Sequence, residues 1–401
     1  MSIRSALVIG GGVAGPVAAT ALQMAGIEAR VFEAYSGPAV NIGSSLGFAP
    51  NGLAALDVVG AGDAVRRLAL PIRHSAMSLG HKTIEMPTAA DLEPQQLVDR
   101  SDLHTALHDH AVAAGISFEY DKRLVRVDEH ADRVTAHFAD GTSATADILI
   151  GCDGVKSTVR TLIDPKAPGA NYTGMLGFGA PSGATVDVPA HTMIFAFGKN
   201  AYYLYWVGPD GRVGWGANLP SKRYMTVGEA RAIPSEQWLR TMRDTYGEDV
   251  PGADLVRHTR PEDLVVSGGL HIMPPVPHWH RGRMVLVGDS VHAPSNSTGQ
   301  GASLAIESAI QLARCLRDFD DPTTAFTAYE RFRRPRVEAI AARGAKINHA
   351  KTPGPVMRKV MPALMPLMFG SAKLQQIMRR EQGYRIDWAA PVDEKAELAW
   401  A

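Results

Sequence analysis

Residues 5–33, SALVIGGGVAGPVAATALQMAGIEARVFE, constrain the fold more than any other stretch of the chain. An apolar run, Ala6–Ile9, reads as a buried strand that gives way to Gly10-x-Gly12-x-x-Gly15. An alanine-rich helix follows, and a second strand, Ala29–Phe32, ends at Glu33. Gly10 permits a tight turn, Gly12 lets the backbone approach a pyrophosphate, and Gly15 lets helix and strand pack closely. Val13 and Ala14 open the helix, whose unpaired N–H groups face a phosphate. Glu33 follows at about the 20-residue spacing at which an acid accepts hydrogen bonds from ribose hydroxyls. Strand, glycines, helix and acid together make this a dinucleotide site rather than a simple turn. The same residues do not decide between NAD and FAD. An acid at position 33 disfavours a 2′-phosphate, so NADP is the poorest fit here.

A 401-residue chain exceeds one average core, so two domains, interleaved in sequence, are expected. Lys+Arg and Asp+Glu balance at 41 each, which gives no overall field toward nucleic acid or an anionic membrane. Cys152 and Cys315 have neither metal-type nor disulfide-framework spacing, and this suits a reducing cytoplasm. The N-terminal apolar run is too short for a signal peptide and continues into the glycine motif. No apolar stretch is long enough for a membrane span. The histidines form no zinc-type pair on a helix; His278-x-His280 reads as the turn entering a strand.

A second strand–glycine–helix device lies far downstream, in GRMVLVGDSVHAPSNSTGQGASLAIESA, residues 282–309. Met284–Val287 is a buried-strand run closed by Gly288-Asp289, and Gly299-Gln-Gly-Ala opens another helix. FAD explains the duplication. Its ribityl chain needs a second acid beyond the pyrophosphate, and its pyrimidine edge suits a second helix N-terminus. Between the two devices, DILIGCDGVKSTVR (147–160) is a third strand, ending at Asp153-Gly154.

With these three motifs in order, the chain resembles the single-component FAD-dependent monooxygenases, the flavoprotein aromatic hydroxylases of the 4-hydroxybenzoate hydroxylase type. The resemblance covers roughly residues 5–345. It implies that Asp289 contacts the ribityl chain and that Gly301 and Ala302 offer backbone groups to the isoalloxazine. Arg100, in VDRSDLHTAL, matches a family arginine that contacts FAD, and Leu124 would meet the adenine through its backbone. Asp153 and Gly154 fall in a motif tied to both FAD and nicotinamide binding, although Asp153 also reads as a helix cap. Three departures stand out: Ser303 and Ser308 replace Asn and Asp, and Gly47 stands where some ring hydroxylases carry a basic or amide side chain.

The expected fold is α/β. A discontinuous Rossmann-like FAD-binding domain (1–72, 99–171 and 265–345) is interleaved with a substrate domain on an antiparallel sheet (73–98 and 172–264), and a helical segment (346–401) follows. Alternation in the substrate domain places Tyr203 and Tyr205 on one strand face and Trp206 on the other, with a hairpin at Asp210-Gly211. Tyr203 and Tyr205 are the candidate catalytic side chains, orienting substrate against an aromatic wall. Near the C-terminus, Met357, Val360, Met361, Leu364, Met365 and Met368 recur at helical spacing. They suggest a stripe bracing the two domains, kinked at Pro362 and Pro366.

The resemblance implies an enzyme that consumes NADH or NADPH as a transient co-substrate. It would insert one atom of O2 into an aromatic or polyketide-like small molecule through a flavin C4a-hydroperoxide. A reductase or dehydrogenase on the same scaffold, or a non-catalytic flavin-binding partner, are the alternatives. A monomer or homodimer without nucleic-acid or membrane partners is expected.

Overall fold

The computed structural model describes residues 3–38, 45–80, 82–89, 91–350 and 355–392. Ser5–Ile9, Ile148–Gly151 and Met284–Leu286 are short and almost wholly buried, as strands covered on both faces must be. They are neighbours in one six-stranded sheet, ordered His280–Arg281, Met284–Leu286, Ile148–Gly151, Ser5–Ile9, Glu28–Phe32, Ser117–Glu119. The three motif strands run parallel, Ile9 opposite Gly151 and Gly151 opposite Leu286. Their carboxyl ends therefore share one edge, where ligands bind in open α/β sheets.

Two glycines make the close approach possible. Gly10 adopts φ +105°, and a Cβ there would lie 2.5 Å from the Cys152 carbonyl oxygen. Gly288 adopts φ +71°, and a Cβ there would meet the methyl groups of Ala305 and Ala14 at 3.1 and 3.2 Å. The helix of the first device, Ala14–Met24, thus packs against the helix of the second, Gly301–Asp318.

The second sheet has seven strands, ordered Val265–Ile272, Asn171–Ser182, Val213–Pro220, Tyr202–Val207, Thr192–Phe197, His74–Leu79, Lys82–Glu85. All its pairs are antiparallel except Thr192–Phe197 with His74–Leu79. Two expected boundaries move. Val265–Ile272, assigned from sequence to the nucleotide domain, pairs with Asn171–Ser182 and extends the substrate sheet. Gln95–Val98, inside the expected insertion, instead joins Leu46–Phe48 and Leu70–Ile72 in a small sheet between the two large ones. Strand character is local, but the choice of sheet depends on which backbone offers free partners.

The C-terminal expectation changes too. The helix Pro355–Phe369 runs unbroken across Pro362 and Pro366. Of the predicted stripe, Met361 is buried, whereas Val360, Leu364 and Met368 are 41 %, 45 % and 54 % exposed; the side chain of Met357 lies outside those described. The segment just beyond is what ties down. Arg336 donates to the Glu381 carbonyl at 2.8 Å and lies over the Tyr384 ring, Gln311 donates to the Tyr384 hydroxyl at 2.7 Å, and Arg317 stacks on Trp388. Apolar spacing identified a helix; polar anchoring decides what it braces.

Candidate cofactor and substrate site

The sheet edge gathers the predicted residues. Glu33, at the end of its strand, accepts from the Gly11 N–H at 2.7 Å and from the Tyr35 N–H at 3.1 Å. Those bonds fix the acid beside the glycine loop and leave further lone pairs on both oxygens. Asp289 is the first residue of a short helix capped by Gly288, and its carboxylate accepts no hydrogen bond from any described residue. Burial pushes its pKa up, opposed by the positive charge of Arg100. Arg100 sits at the first position of the helix Arg100–Ala113, behind the N-cap Asp99, with no partner among the described residues. Two complementary charged groups from distant segments thus converge on one edge without closing on each other.

Val13, Gly301 and Ala302 lie at the openings of the two packed helices, where main-chain N–H groups are free. Leu124 opens the strand Leu124–Glu129, buried against the main core. Asp153 serves its own helix, the second of its two expected readings. One of its oxygens accepts from the Ser157 hydroxyl at 2.5 Å, the other from the Thr158 and Val159 N–H groups at 2.7 and 3.0 Å. These bonds cap the helix Thr158–Ile163 and leave one oxygen with a further lone pair.

Sequence reasoning passed over three features. His104, one turn after Arg100 and on the same helix face, is 7 % exposed with both ring nitrogens unpaired. Its Cε1 lies 3.9 Å from where a Cβ on Gly12 would stand. Burial, then Arg100, lowers its pKa to about 4. The i, i+4 relation to Arg100 was the signal available.

The second feature is a buried charge cluster behind the Gly301 helix. Glu307 is fully buried and receives Arg336 at both oxygens (2.8 Å each), Arg333 at 2.8 Å and Asn51 at 2.7 Å. Asn51 also donates to Gln300 at 2.9 Å, linking the start of the helix Pro50–Val58 to the residue before Gly301. Burial alone would raise the Glu307 pKa, but Arg336 and Arg333 prevail and bring it to about 2. Ser308 receives Arg333 at 3.1 Å and pairs with His292 at 2.9 Å, so this departure from the family pattern is part of the cluster. The third feature is Gln95, whose amide nitrogen lies 2.5 and 3.1 Å from the Cβ positions of Gly47 and Gly299. An amide thus stands beside Gly47 after all, supplied by the neighbouring strand.

The two candidate tyrosines lie on the covered face of their strand. Tyr203 and Tyr205 point away from the nucleotide side into the second core, where Tyr203 meets the Tyr246 ring at 5.3 Å. Burial pushes both phenols up. The opposite face carries Trp206 and Phe195 toward Leu70, Ile72 and Leu97 of the small intervening sheet. Alternation defined the two faces; helices Ser235–Tyr246 and Gly252–Arg257 decide which one is covered. Trp206 borders a cavity of about 350 Å³ that also touches Ser45, Asp99, Pro181 and Gly214.

An orphaned histidine beside a glycine loop, an unbonded acid facing a free arginine, and two converging helix N-termini fit FAD and exceed what a mononucleotide needs. They define a Rossmann-type dinucleotide-binding protein whose ligand extends past the pyrophosphate. A family model described as an FAD binding domain matches residues 4–344, and the chain belongs to that family, with FAD as its cofactor. It is 29 % identical to 3-hydroxybenzoate 6-hydroxylase of Klebsiella oxytoca, covering 84 % of this chain and 86 % of the relative. It is 30 % identical to 3-amino-4-hydroxybenzoate 2-monooxygenase of Streptomyces cremeus, over 85 % and 86 %. The structure of Klebsiella pneumoniae HpxO with FAD and uric acid superposes with a TM-score of 0.80 at 23 % identity, over 95 % of this chain and 96 % of that one.

Proposed function

We propose that the protein is an FAD-dependent monooxygenase that oxygenates a small, planar, electron-rich ring at the expense of NADH or NADPH. The overall change is ring–H + O2 + NAD(P)H + H⁺ → ring–OH + H2O + NAD(P)⁺. FAD, when bound, supplies the electron transfer and the oxygen activation. Glu33, Arg100 and Asp289 bind it, and the Asn51–Gln300–Glu307 bonds orient the Gly301 helix toward it. Trp206 and Phe195 exclude water from the space between the sheets.

The observation that carries this reading is the cavity. Its volume of about 350 Å³ falls near the lower end of small-ligand sites, about 300–1,000 Å³. It lies between the Trp206 face and Asp99, the neighbour of Arg100. The names of two relatives, a hydroxybenzoate hydroxylase and an amino-hydroxybenzoate monooxygenase, support a small ring substrate. For the reductant, Lys156 lies close enough to His271 to lower its pKa after burial has done so, and His271 packs edge-on to Tyr224 at 5.3 Å. A cationic and aromatic surface beside Gly154 suits a visiting pyridine dinucleotide, for which the chain has no second glycine fingerprint.

The test is NAD(P)H oxidation by the yellow holoprotein against hydroxybenzoates, amino-hydroxybenzoates and urate, run under ¹⁸O2 with product masses recorded. Incorporation of one labelled atom per stimulated turnover is expected. Substrate-stimulated reduction without label would leave a reductase, and no stimulation by any ring compound would remove the substrate class.

A further inference from the structure

We propose that His104 is a cofactor-binding residue, its neutral imidazole donating a hydrogen bond to the diphosphate of FAD where that group passes Gly12. The inference deepens the FAD-binding reading and rests on it. A neutral imidazole always carries one N–H, and leaving it buried and unbonded is unfavourable. At 7 % exposure water does not readily satisfy His104, and no described side chain or carbonyl pairs with either ring nitrogen. The ring lies beside the glycine loop suited to admit a diphosphate, with Cε1 3.9 Å from the Cβ position of Gly12.

The surroundings agree with this role. Burial, and after it the positive charge of Arg100 one turn earlier on the same helix, hold the ring neutral. The arginine would then meet the anion as an ion and the histidine as a neutral donor, two contacts from one helix face. Packing alone is a poor account of the residue. The adjoining buried positions on that helix are Leu103, Leu107 and Ala111, which need no polar partner.

The experiment compares wild type with His104→Leu, which removes both nitrogens, and His104→Gln, which keeps a donor. FAD dissociation is read from recovery of flavin fluorescence on dilution of the holoprotein, and the ³¹P resonances of bound FAD are recorded for each. The Leu variant should bind FAD about 10- to 100-fold more weakly, the range for a lost hydrogen bond to a charged group. The Gln variant should recover a large part of that loss, with its diphosphate resonances displaced from those of wild type. Wild-type affinity in the Leu variant would overturn the proposal. If the Leu variant does not fold, the Gln variant decides alone: ³¹P resonances coincident with wild type overturn the contact. Gly12→Val separates the two levels of inference. If it too retains FAD at wild-type affinity, the site is wrongly placed; if it alone loses FAD, the site stands and only the role of His104 falls.

Discussion

Replacing Glu307 with Gln should be among the most damaging single changes in the nucleotide domain. The carboxylate is fully buried and is shared by two guanidinium groups that are themselves fully buried, Arg333 and Arg336. The amide keeps one acceptor oxygen but no charge, so two cations are left facing each other in a dry interior. Removing one partner of a buried ion pair costs about 3–5 kcal/mol. The lowered pKa agrees in sign, since the two guanidinium groups outweigh burial and favour the charged carboxylate over its neutral form. Against a total of about 5–15 kcal/mol, a cost of that size is enough to unfold a marginal variant. Urea denaturation with saturating FAD in both proteins measures the difference. The sign of the pH dependence follows from the depressed pKa. The carboxylate's contribution is complete above its unfolded value near 4.5 and is lost as pH falls toward 2. Wild-type stability should decline across that window, whereas the Gln variant, lacking the group, should lose less. A loss below about 1 kcal/mol at neutral pH, the scale of an exposed pair, would refute the reasoning.

Other consequences are equally direct. Asp289→Ala should lower FAD occupancy by about 0.5–1.5 kcal/mol per lost hydrogen bond, seen as a smaller flavin-to-protein absorbance ratio after gel filtration. Tyr203→Phe and Tyr205→Phe should leave kcat/KM unchanged within about twofold, whereas Trp206→Ala should raise KM or the yield of hydrogen peroxide per NAD(P)H; an unchanged Trp206 variant would move the substrate wall elsewhere. Deletion of residues 381–401 should lower the melting temperature by several degrees, because it removes the Tyr384 and Trp388 anchors, and an unaltered melt would place the brace elsewhere. Flavin reduction in stopped flow should be faster with a confirmed substrate than without, and equal rates would argue against gating.

The sequence by itself determined the features that depend on near neighbours along the chain. The turn at Gly10, the helix behind it, the acid at Glu33 and the strand ending at Gly288-Asp289 are each dictated by a few consecutive residues, and each is where it was expected. The parity that separates Tyr203 and Tyr205 from Trp206 is likewise local, since successive side chains of a strand must alternate. Tertiary structure decided what that parity means. Helices more than 25 residues downstream cover the tyrosine face and leave Trp206 facing the small intervening sheet. It also decided that Asp153 bonds to its own helix, and that Val265–Ile272 pairs with the substrate sheet. The Glu307 cluster and the stranded imidazole of His104 belong wholly to it. A charge or an N–H becomes costly, and therefore informative, only after remote segments have removed its water.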